Sequence, residues 1–301
     1  MKKAILATLL VVLLSGCSLP LGAAPTITPT APIQISSEIP FATSTQPVIQ
    51  TSEATSAPAT SQPVGKPYNQ SGISFALPAC LAFDAVISTL AAVPPDPNGA
   101  PSEFAPEQRV IKFTNYPLSG KYFEPVVHIY PVADYVAMQE KLQDTVTDLS
   151  NLLASHPAAL PDSIPLLPLL NAQQVFHARE SYLEFQNGSG IAFLTEYAQY
   201  AAPVNNFDLF YTYQGITSDG KYWVSAFLPV NIAFLQDSPT STSVPAEGIP
   251  MPDPNSSDFS AQLPQYYNAV KGLMVSADAS AYTPDLTCLD AFLQSLDVEA
   301  P

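Results

Sequence analysis

Positive charge is the scarcest resource of this chain: 10 Lys and Arg stand against 26 Asp and Glu in 301 residues. For residues 67–301 the balance is 7 bases against 24 acids, a formal charge of −17. Such a body is repelled by phosphate backbones and anionic headgroups, so nucleic acid is not expected as a partner, nor is direct binding to a lipid surface. Histidine is nearly absent as well. The three that occur, His128, His156 and His177, are never paired at a ligand spacing, and no cysteine pair has zinc spacing, so no metal is expected. The calcium-like run Asp253 to Asp258 lacks the glycine and the distal glutamate of a calcium loop and reads better as helix capping. Gly188-Ser189-Gly190 lacks the outer spacing of a nucleophile elbow and falls in a predicted turn, and no phosphate-cradling glycine loop follows a strand. No catalytic residue and no cofactor are therefore assigned.

Long apolar runs are also missing. The longest candidate, Ala4–Leu14, has eleven residues, against about 20 for a helix that crosses the hydrocarbon core. Lys2 and Lys3 precede it and Leu14-Ser15-Gly16-Cys17 closes it, which is the layout of a secretory signal. The tetrapeptide resembles the lipobox of bacterial lipoproteins. That resemblance implies a signal peptide over residues 1–16, lipidation of Cys17, and an outward-facing protein anchored to a bacterial membrane by that lipid. An ordinary signal peptide with a chance cysteine is the alternative.

With Cys17 lipidated, Cys80 and Cys288 are left as an even pair in an oxidising compartment, and a disulfide between them is predicted. Two buried free thiols are the alternative, since cysteine packs as a small apolar side chain.

What is abundant is proline, 32 residues in all. Of the 49 residues from Ser18 to Lys66, 23 are Ser, Thr or Pro, with no apolar period, so 17–66 reads as a disordered tether. Residues 67–301 read as one α+β domain, with proline-rich loops near 94–106 and 238–256. The spacing predicts strands over Gly72–Pro78, Arg109–Asn115 and Pro125–Tyr130, and an extended segment within Leu81–Val93. Tyr135, Met138, Leu142, Val146, Leu149 and Leu153 predict one long helix whose apolar stripe covers a sheet, ending at His156 with the imidazole near its last carbonyls. The segment Pro157–Gln174 reads as a buried connector.

Two hairpins follow. Glu180–Gln186 and Ile191–Gln199 flank Asn187-Gly188-Ser189-Gly190, whose Asn-Gly pair suits the positive backbone angles of a tight turn. Phe207–Gln214 and Tyr222–Leu228 flank Asp219-Gly220, with Tyr211 opposite Leu228, Thr212 opposite Phe227 and Tyr213 opposite Ala226. Leu209, Tyr211, Tyr213, Val224 and Leu228 then lie on one face and Phe210, Ile216, Trp223 and Phe227 on the other. A ribbon apolar on both faces belongs inside a layered fold. A helix capped by Ser257 and a last helix opening at Thr283-Pro284-Asp285 complete the chain. The aromatic set Tyr197, Tyr200, Phe207, Tyr211, Tyr213, Tyr222 and Trp223, beside Asp208 or Asn206, reads either as core or as the lining of a ligand groove, with Asp208, Tyr211, Tyr213 and Trp223 the ligand candidates.

The strand Gly-Ile-Ser-Phe-Ala-Leu-Pro at 72–78 and the helix Leu289–Leu296 resemble the two ends of PsbP-like domains. The resemblance implies an α/β/α sandwich around an antiparallel sheet, and a secreted accessory or assembly module without catalysis. The Phe207–Leu228 ribbon also resembles stretches of secreted bacterial proteins. The expectation for function is a tethered envelope lipoprotein that binds a protein or ligand. An envelope hydrolase acting on glycan or peptide through carboxylates, and a small-solute receptor, are the alternatives.

Overall fold

The structure, a computed structural model, describes residues 64–96, 98–100 and 103–301. The leader, Cys17 and residues 18–63 of the expected tether lie outside the described residues. The body is an α/β/α sandwich: a seven-stranded antiparallel sheet with helices on both faces, as the α+β reading expects.

The described residues open with a hairpin, β1 (Lys66–Gln70) and β2 (Ile73–Leu77), of which only β2 is legible in the sequence. Ser71 and Gly72, at φ 52° and 68°, supply the two left-handed residues of its turn. The large sheet takes β3 (Asp84–Leu90), β4 (Gln108–Thr114), β5 (Val126–Pro131), β6 (Gln173–Phe185), β7 (Gly188–Ala198), β8 (Phe210–Thr217) and β9 (Tyr222–Pro229). Their order is β3-β4-β5-β9-β8-β7-β6. The ribbon β8–β9 is therefore central, and its register is the expected one: Tyr211 opposite Leu228, Thr212 opposite Phe227, Tyr213 opposite Ala226.

One face carries Tyr211, Tyr213, Val224 and Leu228, with Ala192 and Leu194 beside them. It is covered by α3 (Phe259–Ser276), α4 (Leu286–Gln294) and the β1–β2 hairpin. Two short pairings close this side: β10 (Asn231–Ile232) with β11 (Tyr282–Thr283), and β12 (Asp297–Val298) with β2. The opposite face carries Ile191, Phe193, Trp223 and Tyr130, covered by α1 (Val132–Met138) and α2 (Leu142–Ser155). The connector from Pro157 packs onto the same face, with Ile164, Leu166 and Leu167 buried as expected.

Several local expectations are corrected. The single long helix is two, broken at Gln139, which is extended at φ −150° and ψ 107°. The break lets Tyr135 pack on Tyr130 at the end of β5 while Leu149 and Leu152 join Ile191 and Phe193 on β7. The apolar spacing crosses it in phase, from Met138 to Leu142, so periodicity alone cannot reveal it. The first hairpin turns on Gln186-Asn187, since Phe185 pairs with Gly188. That places Asn187 where its amide brackets Val298, donating to the carbonyl at 2.8 Å and accepting the N–H at 3.2 Å. His156 closes α2 in the left-handed conformation, but its ring stacks on Tyr182 at 4.0 Å and makes no bond to the helix carbonyls. Asp258, not Ser257, precedes α3, and no side chain caps it. Asp285 caps α4, accepting the Thr287 N–H at 2.8 Å, where Thr283 was the expected cap.

Candidate functional site

The four residues of the sequence-predicted ligand set separate. Tyr213 and Trp223 are 0% exposed and Tyr211 3%, all inside the sandwich. Each polar tip has an internal partner: Tyr211 donates to Asp290, Tyr213 to the Leu183 carbonyl at 2.9 Å, and Trp223 Nε1 to Gln214 Oε1 at 2.8 Å. These three are core, the first of the two readings of the aromatic set. Asp208 alone reaches a cavity, together with Tyr197 and Tyr200 from the wider set.

That cavity, about 640 Å³, is a groove along β5 on the face that α1 and α2 leave partly uncovered. Its floor is Val126, His128 and Tyr130 from β5, with Phe227 from β9 and Gln108 from β4. Alternation along β5 sends these three residues to one face while Val127 and Ile129 enter the core on the other. The walls come from loops. Glu103 and Ala105 stand at the β3–β4 connection, and Tyr122, Phe123 and Glu124 before β5. Pro168 and Leu170–Ala172 of the connector and Tyr197–Tyr200 complete them. Phe123 is wedged between Phe210 and Phe227, at ring-centre distances of 4.7 and 4.9 Å, and holds the Tyr122 loop against the sheet. Tyr122 N–H also donates to the Phe207 carbonyl at 3.0 Å.

Two titratable groups of the groove are set by burial. His128 stacks on Tyr130, and its Nδ1 lies 2.8 Å from Gln108 Oε1, which can only accept. Nδ1 therefore carries the proton and Nε2 is left as an acceptor. Burial, assisted by the Lys112 charge, lowers His128 to about 4, so the ring is neutral at neutral pH. Glu196, 1% exposed, is pushed well above the carboxylate range, chiefly by burial and further by Asp208, against the pull of the Asn205 N–H. Asn205 sits between the two acids: its Nδ2 donates to Glu196 Oε1 at 3.2 Å and to Asp208 Oδ2 at 2.9 Å. Its Oδ1 receives the N–H groups of Phe207 and Asp208, which folds the β7–β8 loop into a fixed turn.

Sequence reasoning missed Glu196, Gln108 and the Tyr122–Glu124 loop, and weighed His128 only as a metal ligand. The signal available for two of them was an ionisable residue inside an otherwise apolar strand, His128 in Val-Val-His-Ile-Tyr and Glu196 in Phe-Leu-Thr-Glu-Tyr. Cys80 and Cys288 do meet, as a disulfide with Cα atoms 6.1 Å apart, joining the end of β2 to α4. Among the described residues no group of three or more His, Cys, Asp or Glu could hold a metal ion, and no helix is long and apolar enough to cross a membrane. No family model, no curated protein and no solved structure matches this chain.

Proposed function

We propose that this chain is an envelope lipoprotein, anchored through lipid on Cys17, whose α+β body binds a small organic ligand in the groove along β5 and performs no chemistry on it. The observation that carries the ligand reading is the groove itself. Its 640 Å³ lies in the range of about 300–1,000 Å³ typical of small-molecule sites. Aromatic rings line it, with a few fixed polar groups among them, the usual composition of such sites. This narrows the expectation of a protein or ligand partner to the small-solute receptor. An envelope protein that docks on the loaded form is compatible with it. The PsbP-like resemblance supports the non-enzymatic part, since it implies an accessory module.

The chain purified from envelopes, weighed by native and then denaturing mass spectrometry, tests the reading. Extra mass that is lost on denaturation, and lost also from a Tyr197→Ala/Phe123→Ala variant, is the expected result. A native mass equal to the chain alone, at every purification condition, counts against it. For the anchor, Cys17→Ser should move the protein from the membrane fraction to the soluble one.

A second reading rests on Glu196 and Asp208. A carboxyl pushed toward its neutral form by burial, with a second carboxylate nearby, is the arrangement that splits acid and base roles in glycoside hydrolysis. In that reading Glu196 would protonate the leaving group. Hydrolysis of envelope glycan by the wild type, abolished in Glu196→Gln, would establish it in place of the receptor.

A further inference from the structure

The groove has a charge character that selects among small ligands. Its described lining carries four carboxyl side chains, Glu103, Glu124, Glu196 and Asp208, and no lysine or arginine. Glu196 is buried and shifted toward its neutral form, so Glu103, Glu124 and Asp208 are the three more open acids of the cavity. Lys112, on the same sheet face, is exposed and outside the lining. An anionic ligand would find no countercharge in the lining, and the acids there outnumber the nearby cation Lys112, whose charge is felt at His128. A bare metal ion would find no ligand cluster among the described residues and far more space than it fills.

The aromatic content points the same way. Tyr122, Phe123, Tyr197, Tyr200 and Phe227 present rings to the groove, and ring faces attract cations through their quadrupole. One hydrogen-bonding group on the floor is also free. Gln108, 9% exposed, occupies Nδ1 of His128, and Nε2 has no protein partner among the described residues. A neutral imidazole nitrogen without a proton accepts an N–H; it offers nothing to a carboxylate or phosphate.

Resting on the small-ligand reading above, we propose that the groove along β5 binds an organic monocation, an ammonium carried on an apolar body, with its charge against Glu124, Glu103 and Asp208 and its body on the aromatic floor. The ammonium keeps part of its hydration at the open rim, where the exposed acids Glu103 and Glu124 stand. The apolar body takes the depth of the groove over Phe227 and Tyr130.

The test compares three probes that share one skeleton and differ in charge: phenylbutylammonium, phenylbutanol and phenylbutyrate, titrated into the purified full chain by calorimetry. The expected order is ammonium first, by tenfold or more over the alcohol, with phenylbutyrate weakest and the ammonium affinity falling as salt is raised. Glu103→Gln and Glu124→Gln should each weaken the ammonium by about two- to fivefold and leave the alcohol unchanged. Tyr122→Leu, which keeps the apolar area and removes the ring, should weaken it by about two- to fivefold as well. All three positions are exposed or lie at the rim, so these variants are expected to fold. Equal affinity for all three probes, or a preference for phenylbutyrate, overturns the cation assignment and leaves the small-ligand reading standing. Binding of none of them overturns both.

Discussion

Asn205 holds Glu196 at both carboxyl oxygens, its backbone N–H donating to one and its side-chain amide to the other, each at 3.2 Å. Glu196 is nonetheless pushed well above the carboxylate range, because two neutral donors do not offset removing a full charge from water next to Asp208. The folded state thus keeps a proton that the unfolded chain releases above about pH 4.5. Stability contributed by this site is present at low pH and falls as pH rises, by about 1.4 kcal/mol per unit until the folded group itself ionises. Glu196→Gln removes the titration but keeps only one of the two acceptors, so it is expected to be less stable than the parent near pH 4 and to regain ground on it as pH rises. Urea unfolding of both proteins from pH 4 to pH 7 checks this; a stability difference that does not change with pH would show that Glu196 is not protonated in the fold.

His128 gives a slope of opposite sign. Its folded value of about 4 lies below the ordinary 6.5, so between those values the unfolded chain binds the extra proton and stability falls on acidification. The full excursion is about 3 kcal/mol. Because Glu196 acts in the other direction over part of the window, the wild type alone hides the effect. Subtracting a His128→Asn variant isolates it: the stability difference between the two proteins should move in the variant's favour as pH falls from 6.5 to 4. A flat difference would mean the ring is solvated.

Under α2 a polar cluster ties the connector to the sheet. Gln214 Oε1 accepts from Trp223 Nε1 at 2.8 Å and from the Leu167 N–H at 3.1 Å, while Nε2 donates to Thr212 and Ser225, both at 2.9 Å. Every hydrogen-bonding position of this buried amide is used. Gln214→Leu strands the indole and Leu167 donors and is expected to cost about 3 kcal/mol. In a Trp223→Phe background one of those donors is already gone, so the same change should cost at least about 1 kcal/mol less. Additive losses in denaturant would show that the two side chains do not act together.

How far the sequence could be read depended on whether the information was local. The β8–β9 register follows from Asp219-Gly220: Gly220 sits at φ 72°, and Asp219 accepts the Lys221 N–H at 3.1 Å, so a short turn sets every pair after it. The two apolar faces of that ribbon follow from alternation, and the position of Trp223 and Tyr213 between two layers follows from the faces. The groove was not readable that way. Its lining runs from Val93 to Phe227 in sequence, and which aromatic stays open is decided by where α1 and α2 stop, not by spacing. Tyr197 and Tyr213 look alike in the sequence, yet one lines the groove and the other is sealed beneath α3 and α4.

The disulfide closes a loop of 208 residues in sequence, from Cys80 to Cys288. Restricting the unfolded chain over that length is worth about 5 kcal/mol in the chain-entropy account. Cys80→Ala/Cys288→Ala is therefore expected to unfold at much lower denaturant, with the loss close to that figure, and thiol titration of the unreduced, unfolded body should detect neither cysteine. Two reactive thiols there would remove the bridge from the account of stability.

Arg179 sits in β6 at φ 56°, where the register slips between Ala178 and Ser181, and the bulge turns its side chain toward the end of α3. There Nη1 donates to the carbonyls of Ala277, Val275 and Met274 at 2.6, 3.2 and 3.3 Å, with the guanidinium over the Tyr282 ring. The last carbonyls of a helix lack partners and carry partial negative charge, so a fixed cation stabilises them twice over. Arg179→Met keeps the length and apolar stem but removes every donor, and is expected to cost about 2 kcal/mol. Arg179→Lys should recover only part, since one ammonium cannot both stack on Tyr282 and reach three carbonyls. The loss should be concentrated locally: amide hydrogen exchange in the last turn of α3 should accelerate in Arg179→Met more than exchange in β8 and β9. Equal acceleration throughout would mean that Arg179 contributes to the global fold and not to the end of this helix.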